Sequence, residues 1–316
     1  MSISNFAEFL APVTREEFYA DHFGKKPLHI KGGKDKFAGV LSWSGLNDIL
    51  NLSRTWSAQS LALFVDGEKV PPHQYCVPAI NRDGQQVLQP LPDRVAEFVR
   101  GGAGLVCNEA DTVAPGINAV AGIIEGELAG KVQSNLYCTW AGRQAFRSHF
   151  DVHDVFALHL EGTKSWKVYE GRAEYPINHP AFQRLGQAHH DRARGAVALE
   201  VKMEPGDLLY LPRGQYHDAL ASSDGSIHVT MSTTFPIGLD LITLLFEAAI
   251  GDPLFRENLP RVGDDAALAA HVGRIADRLA QMAKSPEALK GFAAFRRGFR
   301  YPRGDFALPK REPRKN

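Results

Sequence analysis

The chain has 316 residues, 44% of them hydrophobic and 23% charged, which fits an ordinary soluble globular protein. Lysine plus arginine equals aspartate plus glutamate at 36 each, so the net charge gives no argument for nucleic acid or an acidic membrane as partner of the whole protein. The three cysteines, Cys76, Cys107 and Cys138, are widely spaced and form no CxxC, which excludes a disulfide framework or a zinc cluster and fits a reducing cytoplasm. No basic flank followed by an apolar run opens the chain, and no apolar stretch is long enough to span a bilayer, so neither a signal peptide nor a membrane helix is expected.

Residues 1–130 read as an α/β region with breaks. Phe6, Phe9 and Leu10 share one face, and Thr14 stands where a cap belongs before Arg15-Glu16-Glu17. A first strand is predicted at Lys26–Ile30 and a helix from Trp43 to Leu52, with Leu46, Ile49 and Leu50 on one side. Residues 61–67 read as strand and turn, and 92–101 and 115–129 as helices around a short strand at Gly104–Cys107. From 131 to 236 the period is mostly two. Strands are expected at 132–140, 153–160, 164–170, 197–203, 207–211, 216–221 and 227–234, with 176–196 as a loop insertion. Many short strands and tight turns indicate a barrel or sandwich. Residues 237–296 turn helical: Leu268, Val272, Ile275, Leu279 and Met282 form one stripe, and Ser285-Pro286-Glu287 reads as a helix start. Residues 297–316 are a basic tail.

The chemistry concentrates in two places. In Ser148-His149-Phe150-Asp151 an imidazole and a carboxylate two residues apart point to one side of an extended chain. His217 is the best third ligand. It ends the run from Gly206 through Pro212 and Gly214, which matches the second cupin motif GxxxxxPxGxxH. Two imidazoles and one carboxylate on one face of an octahedron leave open positions, the pattern of non-haem iron(II) oxygenases. His153 is expected in the wall of the site, and His159 in the core. His228 lies in the last strand outside the ligand set, and Asp154 has the wrong phase to join it. His179, His189 and His190 fall in the insertion and are expected to be solvated.

The run Ser148–Phe156, followed by Leu160-Glu161-Gly162-Thr163-Lys164-Ser165-Trp166-Lys167-Val168-Tyr169, resembles the Jumonji-C cupins, and within them the ribosomal oxygenase group. Asn135-Leu136-Tyr137 and Gly24–Leu28 resemble the same group. The resemblance implies a mainly β fold, a double-stranded β-helix (cupin jelly roll) with an N-terminal helical region and C-terminal helices. It implies iron(II) held by His149, Asp151 and His217, with 2-oxoglutarate and O₂ as co-substrates. The far carboxylate of 2-oxoglutarate falls to Lys164, for which a solvated hairpin lysine is the alternative. Asn135, Tyr137 and Ser232 would line the pocket, with Trp166 in the core. The implied activity is hydroxylation of a side chain in a protein or peptide, with a ribosomal component as one candidate. A small-molecule oxygenase and a non-oxidative cupin isomerase or binding module stay open. The chain departs from small-molecule cupins at Asp151, where a second His is usual, and at Ala221, where an Asn is usual. About 80 residues follow the barrel, too few for the winged helix of ribosomal oxygenases. The C-terminal helices are candidates for a homodimer contact, and the basic tail for a docking arm or a solvated end.

Overall fold

The computed structural model describes residues 3–140, 147–221 and 225–304. Helices α1 (Phe6–Leu10) and α2 (Arg15–Glu17) start at Asn5 and Thr14, whose side chains accept from the Glu8 and Glu17 amides. Strand β1 (Leu28–Ile30) precedes α3 (Trp43–Leu50), capped by Ser42. Strand β2 (Leu61–Val65) turns through Asp66 and Gly67 into β3 (Glu68–Lys69). Next come β4 (Cys76–Ile80), β5 (Gln86–Pro90), α4 (Pro92–Arg100), β6 (Gly104–Asn108) and α5 (Pro115–Leu128). The β4–β5 hairpin went unpredicted. Pro78 interrupts its pattern, and Ile80 and Leu88 face solvent, so no apolar alternation marks it.

The second half supplies β7 (Lys131–Thr139), β8 (Asp154–Glu161) and β9 (Lys164–Arg172). It continues with α6 (Pro180–Gln183), α7 (Gln187–Ala193), β10 (Val197–Met203), β11 (Leu208–Leu211), β12 (Gln215–Ala221) and β13 (Ser226–Thr234). The expected loop insertion at 176–196 thus holds two short helices, too short for a readable helical period. One antiparallel sheet runs β1-β11-β8-β13-β7-β6-β2-β3 and a second runs β10-β9-β12. Together they form the jelly-roll fold that the sequence predicts. Val155 and Ala157 of β8 meet Trp166 and Val168 of β9 and Leu209 and Leu211 of β11 between the two sheets. The alternate residue Phe156 faces the other way, against Phe9, Phe18 and Tyr210, with ring centroids 4.9–5.9 Å away. Strand β8 is therefore covered on both faces and reads as a nearly unbroken apolar run.

The backbone between β10 and β11 needs its glycine. Gly206 has φ +96°, and a Cβ there would lie 2.0 Å from the Gly33 carbonyl oxygen. Asp207 completes the joint by accepting from the Gly32 and Glu204 amides and facing His29 at 3.1 Å.

The described chain divides into two compact units, Met1–Thr234 with the segment from Tyr301, and Phe235–Arg300. In the second unit α8 (Gly238–Ala249), α9 (Asp265–Ala283) and α10 (Pro286–Gly298) follow one another, the last two capped by Asp264 and Ser285. The predicted stripe on α9 is divided: Ile275, Leu279 and Met282 are half-buried, whereas Leu268 and Val272 are exposed. Leu239, Ile242, Phe246 and Ile250 make a second exposed stripe on α8 and beyond its end.

Of the basic tail, residues 305–316 lie outside the described residues. Arg303, read from the sequence only as one cation of a docking arm or a solvated end, is half-buried within the first unit. Its guanidinium donates to Glu125 at 2.7 Å, Asp111 at 2.9 Å, Asn118 at 2.6 Å and the Val132 carbonyl at 2.8 Å. Glu125 and Asp111 are buried and also hold the Val132 amide and Ser134, so two carboxylates share this one cation. Removing one partner of a buried charge cluster leaves the others uncompensated, so Arg303→Ala is expected to lose about 3–5 kcal/mol of stability. Urea denaturation measures it, and a loss below about 1 kcal/mol, the scale of an exposed pair, would show the latch to be dispensable.

His159 gives a pH dependence of known sign. Burial pushes its imidazole from 6.5 down to about 4, while its Nε2–H donates to the Gly162 carbonyl at 3.0 Å. Between those values the unfolded chain takes up a proton that the folded chain refuses, so stability falls as pH drops from about 6.5 toward 4. Melting temperatures across this window are expected to decline less steeply in His159→Gln than in the parent. An unchanged slope would remove His159 from the account.

Candidate metal centre and active site

Three side chains converge at the open end of the two sheets. His149 and Asp151 sit in the segment leading into β8, and His217 sits in β12. An isolated antiparallel bridge joins the two histidines: the His149 N–H donates to the His217 carbonyl at 3.1 Å and the His217 N–H returns to His149 at 2.9 Å. Their ring centroids are 4.5 Å apart. The Gly214 N–H donates to the Asp151 carbonyl at 2.9 Å, which extends the pairing by one step. Gly214 has φ +87°, and a Cβ there would stand 2.1 Å from the Ala173 carbonyl oxygen, which gives the motif glycine its physical reason. Asp154, out of phase with the ligands as predicted, clamps the same turn from behind. Its carboxylate accepts from the Arg213 amide at 2.9 Å and from the Tyr210 hydroxyl at 2.5 Å.

Hydrogen bonds set the tautomers. His149 Nδ1 lies 2.7 Å from the Arg147 carbonyl and His217 Nδ1 lies 3.0 Å from the Gln215 carbonyl. Each Nδ1 must therefore carry the proton, which makes Nε2 the nitrogen through which each ring would ligate. Burial holds His217 neutral, pushing it down to about 4. Burial alone would raise the Asp151 carboxyl, but His153, His217 and His149 outweigh it and hold the group below its ordinary value. The result is a neutral Nε2 lone pair facing an ionised Asp151 oxygen at 3.5 Å. Two acceptors at that separation repel unless a cation lies between them. The potential ligand atoms of His149, Asp151 and His217 all fall within 4.8 Å of one another, so the donor set fits a divalent transition metal.

The three residues open into a cavity of ≈ 260 Å³. Asn135 and Tyr137 of β7 line it, as do Thr230 and Ser232 of β13, so the sequence-predicted pocket residues are all brought to one place. Lys164 lines it too and is 3% exposed, which excludes a solvated hairpin lysine. Burial pushes its ammonium down to about 7. It pairs with no carboxylate among the described residues. Its neighbours are the rings of Tyr137 at 5.9 Å and Trp166 at 6.0 Å, and His228 Nδ1 at 3.5 Å. A buried cation set among rings and a neutral imidazole is a receptor for an anion. The cavity thus offers metal ligands and an anion anchor, which fits a metal-chelating dicarboxylate.

Some of the lining escaped the sequence. Trp166, predicted as core, packs there and also walls the cavity, its ring stacked on that of His217 at 5.9 Å. His153 lines the cavity, as expected of a wall residue, and its buried Nδ1 has no hydrogen-bond partner among the described residues. His228 also lines it; stepping back by two from Ser232 and Thr230 would have found it. Of the insertion histidines, His179 caps α6, and His190 packs between Phe150 and Tyr216, with ring centroids 5.5 and 5.8 Å away, rather than standing in solvent.

Residues 119–241 match the family described as the JmjC domain. The chain is 28% identical over 302 residues to the bifunctional lysine-specific demethylase and histidyl-hydroxylase NO66 of Dictyostelium discoideum, covering 87% of this chain and 56% of that protein. It is 29% identical over 231 residues to ribosomal oxygenase 1 of Gallus gallus, covering 72% of this chain and 36% of that protein. The chain therefore spans little more than half the length of these curated relatives, or less. Among solved structures, the Escherichia coli ribosomal oxygenase YcfD superposes with a TM-score of 0.61 at 16% identity, covering 94% of this chain and 74% of that one. The structure of YcfD in complex with cobalt and 2-oxoglutarate also matches with a TM-score of 0.61 at 16% identity, covering 95% and 74%. At that identity the likeness establishes the jelly-roll fold. With the family match and the curated relatives beside it, the chain carries a JmjC domain and is a homologue of the NO66 proteins and ribosomal oxygenases.

Proposed function

We propose that the chain is an iron(II)- and 2-oxoglutarate-dependent oxygenase that hydroxylates an amino-acid side chain of a protein or peptide. The observation that carries this reading is the pairing of an inward-facing two-histidine, one-carboxylate set with a buried lysine that has no carboxylate partner among the described residues, in the same cavity. His149 and His217 would ligate through Nε2 and Asp151 through its carboxylate, leaving one face of the metal open. When bound, iron(II) with 2-oxoglutarate and O₂ supplies an oxidation that converts a C–H bond to C–OH and yields succinate and CO₂. Lys164 neutralises the far carboxylate of the keto acid, and Asn135, Tyr137 and Ser232 orient it from the β7 and β13 wall. Val155, Trp166 and Ala219 exclude water from the reacting face.

The names of the relatives support a macromolecular target, and we take a ribosomal protein as the first candidate substrate. A reducing cytoplasm fits the three buried thiols. No helix among the described residues is long and apolar enough to cross a membrane. The apolar stripe on α8, with Phe246 64% exposed, supports a homodimer through the helical second unit.

Anaerobic titration of 2-oxoglutarate into the iron(II)-loaded protein is expected to develop the visible metal-to-ligand charge-transfer band of bidentate chelation. Asp151→Ala should lose the band and bind iron at least about 100-fold more weakly, roughly 2.7 kcal/mol. Iron binding without the band in the parent protein would turn the reading toward a non-oxidative cupin. Sedimentation is expected to give a dimer that Phe246→Glu converts to monomer, since burying a charge at an interface anchor costs about 2 kcal/mol or more. A parent protein that sediments as a monomer removes the dimer.

A further inference from the structure

Among the described residues Lys164 is held by something other than an acid. Its ammonium lies 5.9 Å from the Tyr137 ring centroid and 6.0 Å from that of Trp166, and a polar atom beside it is His228 Nδ1 at 3.5 Å. His228 is itself fixed on all sides. Its ring stacks on Tyr137 with centroids 4.7 Å apart and planes 8° apart, and meets the Trp166 ring edge-on at 5.5 Å. The register of β13 sets it opposite Tyr137 of β7 on one side and His159 of β8 on the other. The residue is 3% exposed. An ammonium can only donate, so Nδ1 facing it must be the acceptor, and the ring is neutral with its proton on Nε2. Burial, Lys164 and His159 all favour that neutral form.

A lysine side chain has four rotatable bonds and an ammonium with three donors, so charge alone does not aim it. A rigid imidazole that accepts one N–H fixes the remaining two toward the cavity. We propose that His228 is a positioning residue that aims the Lys164 ammonium at the far carboxylate of the keto acid, and so sets the selection of five-carbon over shorter keto acids. This rests on the functional reading above, in which Lys164 anchors that carboxylate. The stack with Tyr137 holds the imidazole plane, and the β13 register holds its height.

The test compares two keto acids on the manganese(II)-loaded protein. 2-Oxoglutarate has the far carboxylate, whereas pyruvate chelates a metal through the same keto-acid end and lacks it. In the parent protein 2-oxoglutarate should bind more tightly than pyruvate. Equal affinities there would sink the Lys164 anchor itself, before any variant is made. His228→Phe keeps a flat ring against Tyr137 and removes the acceptor. It is expected to weaken 2-oxoglutarate about 10-fold, the scale of one charge-assisted hydrogen bond, and to leave pyruvate and manganese affinity within about twofold. In a Lys164→Met background the same change should have no further effect on 2-oxoglutarate, because the group it aims is gone. Equal weakening of both keto acids would assign His228 a purely structural role. Unchanged 2-oxoglutarate affinity, or a full additive loss on Lys164→Met, overturns the proposal. Should His228→Phe fail to fold, His228→Gln, which keeps a side-chain acceptor, is measured instead. It is expected to retain the preference for 2-oxoglutarate in whole or in part because an acceptor survives, and a preference lost completely overturns the proposal.

Discussion

The backbone bridge between His149 and His217 is the constraint on which the rest of the site depends. Two imidazoles contributed by distant parts of the chain stand side by side because their own peptide groups exchange two hydrogen bonds. The ligand spacing is therefore set by strand geometry rather than by flexible side chains. Everything that fixes the register of the two segments also fixes the metal geometry. Gly214 lets the β11–β12 turn close against Ala173, and the Gly214 amide secures Asp151. Asp154 ties that turn to β8 through the Arg213 amide, and Gly206 with Asp207 locks the start of β11 against the segment after β1. The cupin motif is the sequence record of these backbone requirements as much as of its histidine.

The sandwich around the bridge is apolar, and this gives the site its electrical character. Val155, Ala157, Val168, Leu209 and Leu211 remove water from one side of a cavity that still contains four histidines, a lysine and a carboxylate. In that setting the His217 imidazole stays neutral and can offer a lone pair, while the Asp151 carboxyl is held below its ordinary value. Carbonyls at Arg147 and Gln215 accept from Nδ1 and leave Nε2 as the ligating nitrogen. The site is thus organised for a cation before any cation arrives, which lowers the cost of reorganisation on binding.

Much of this was legible in the chain. The seven core strands were readable because most of them are bounded by Gly, Pro or Asp turns, and because alternation is strict where one face is half-buried. The ligand residues were readable because their spacing follows from pleat and turn. Lys164 was placed by a family resemblance, and the alternative of a solvated hairpin lysine fell only when its burial was seen. What stayed hidden depends on tertiary partners. The β4–β5 hairpin has no buried face to announce it, and helices α6 and α7 take their stability from docking rather than from their own period. Arg303 looked like one more cation in a basic tail. Nothing local distinguishes it from its neighbours, because the carboxylates that claim it lie far back in the chain. The exposed face of α8 was likewise read as helix with no indication of which side would stay open.

The two buried cations show how one fold separates a fastening from a working site. Arg303 meets two carboxylates, an amide and a carbonyl, so its donors are largely satisfied within the chain. Lys164 is buried more deeply and meets two aromatic rings and a neutral imidazole, with no carboxylate among the described residues. Burial raises the Coulomb energy of both charges, but only the second keeps that energy available to a ligand. Supplying Lys164 with an internal acid would stabilise the fold and abolish its affinity for an anion. The want of a carboxylate partner for Lys164 among the described residues is therefore a functional feature, with a stability cost that the Tyr137 and Trp166 rings and the His228 contact reduce but do not remove.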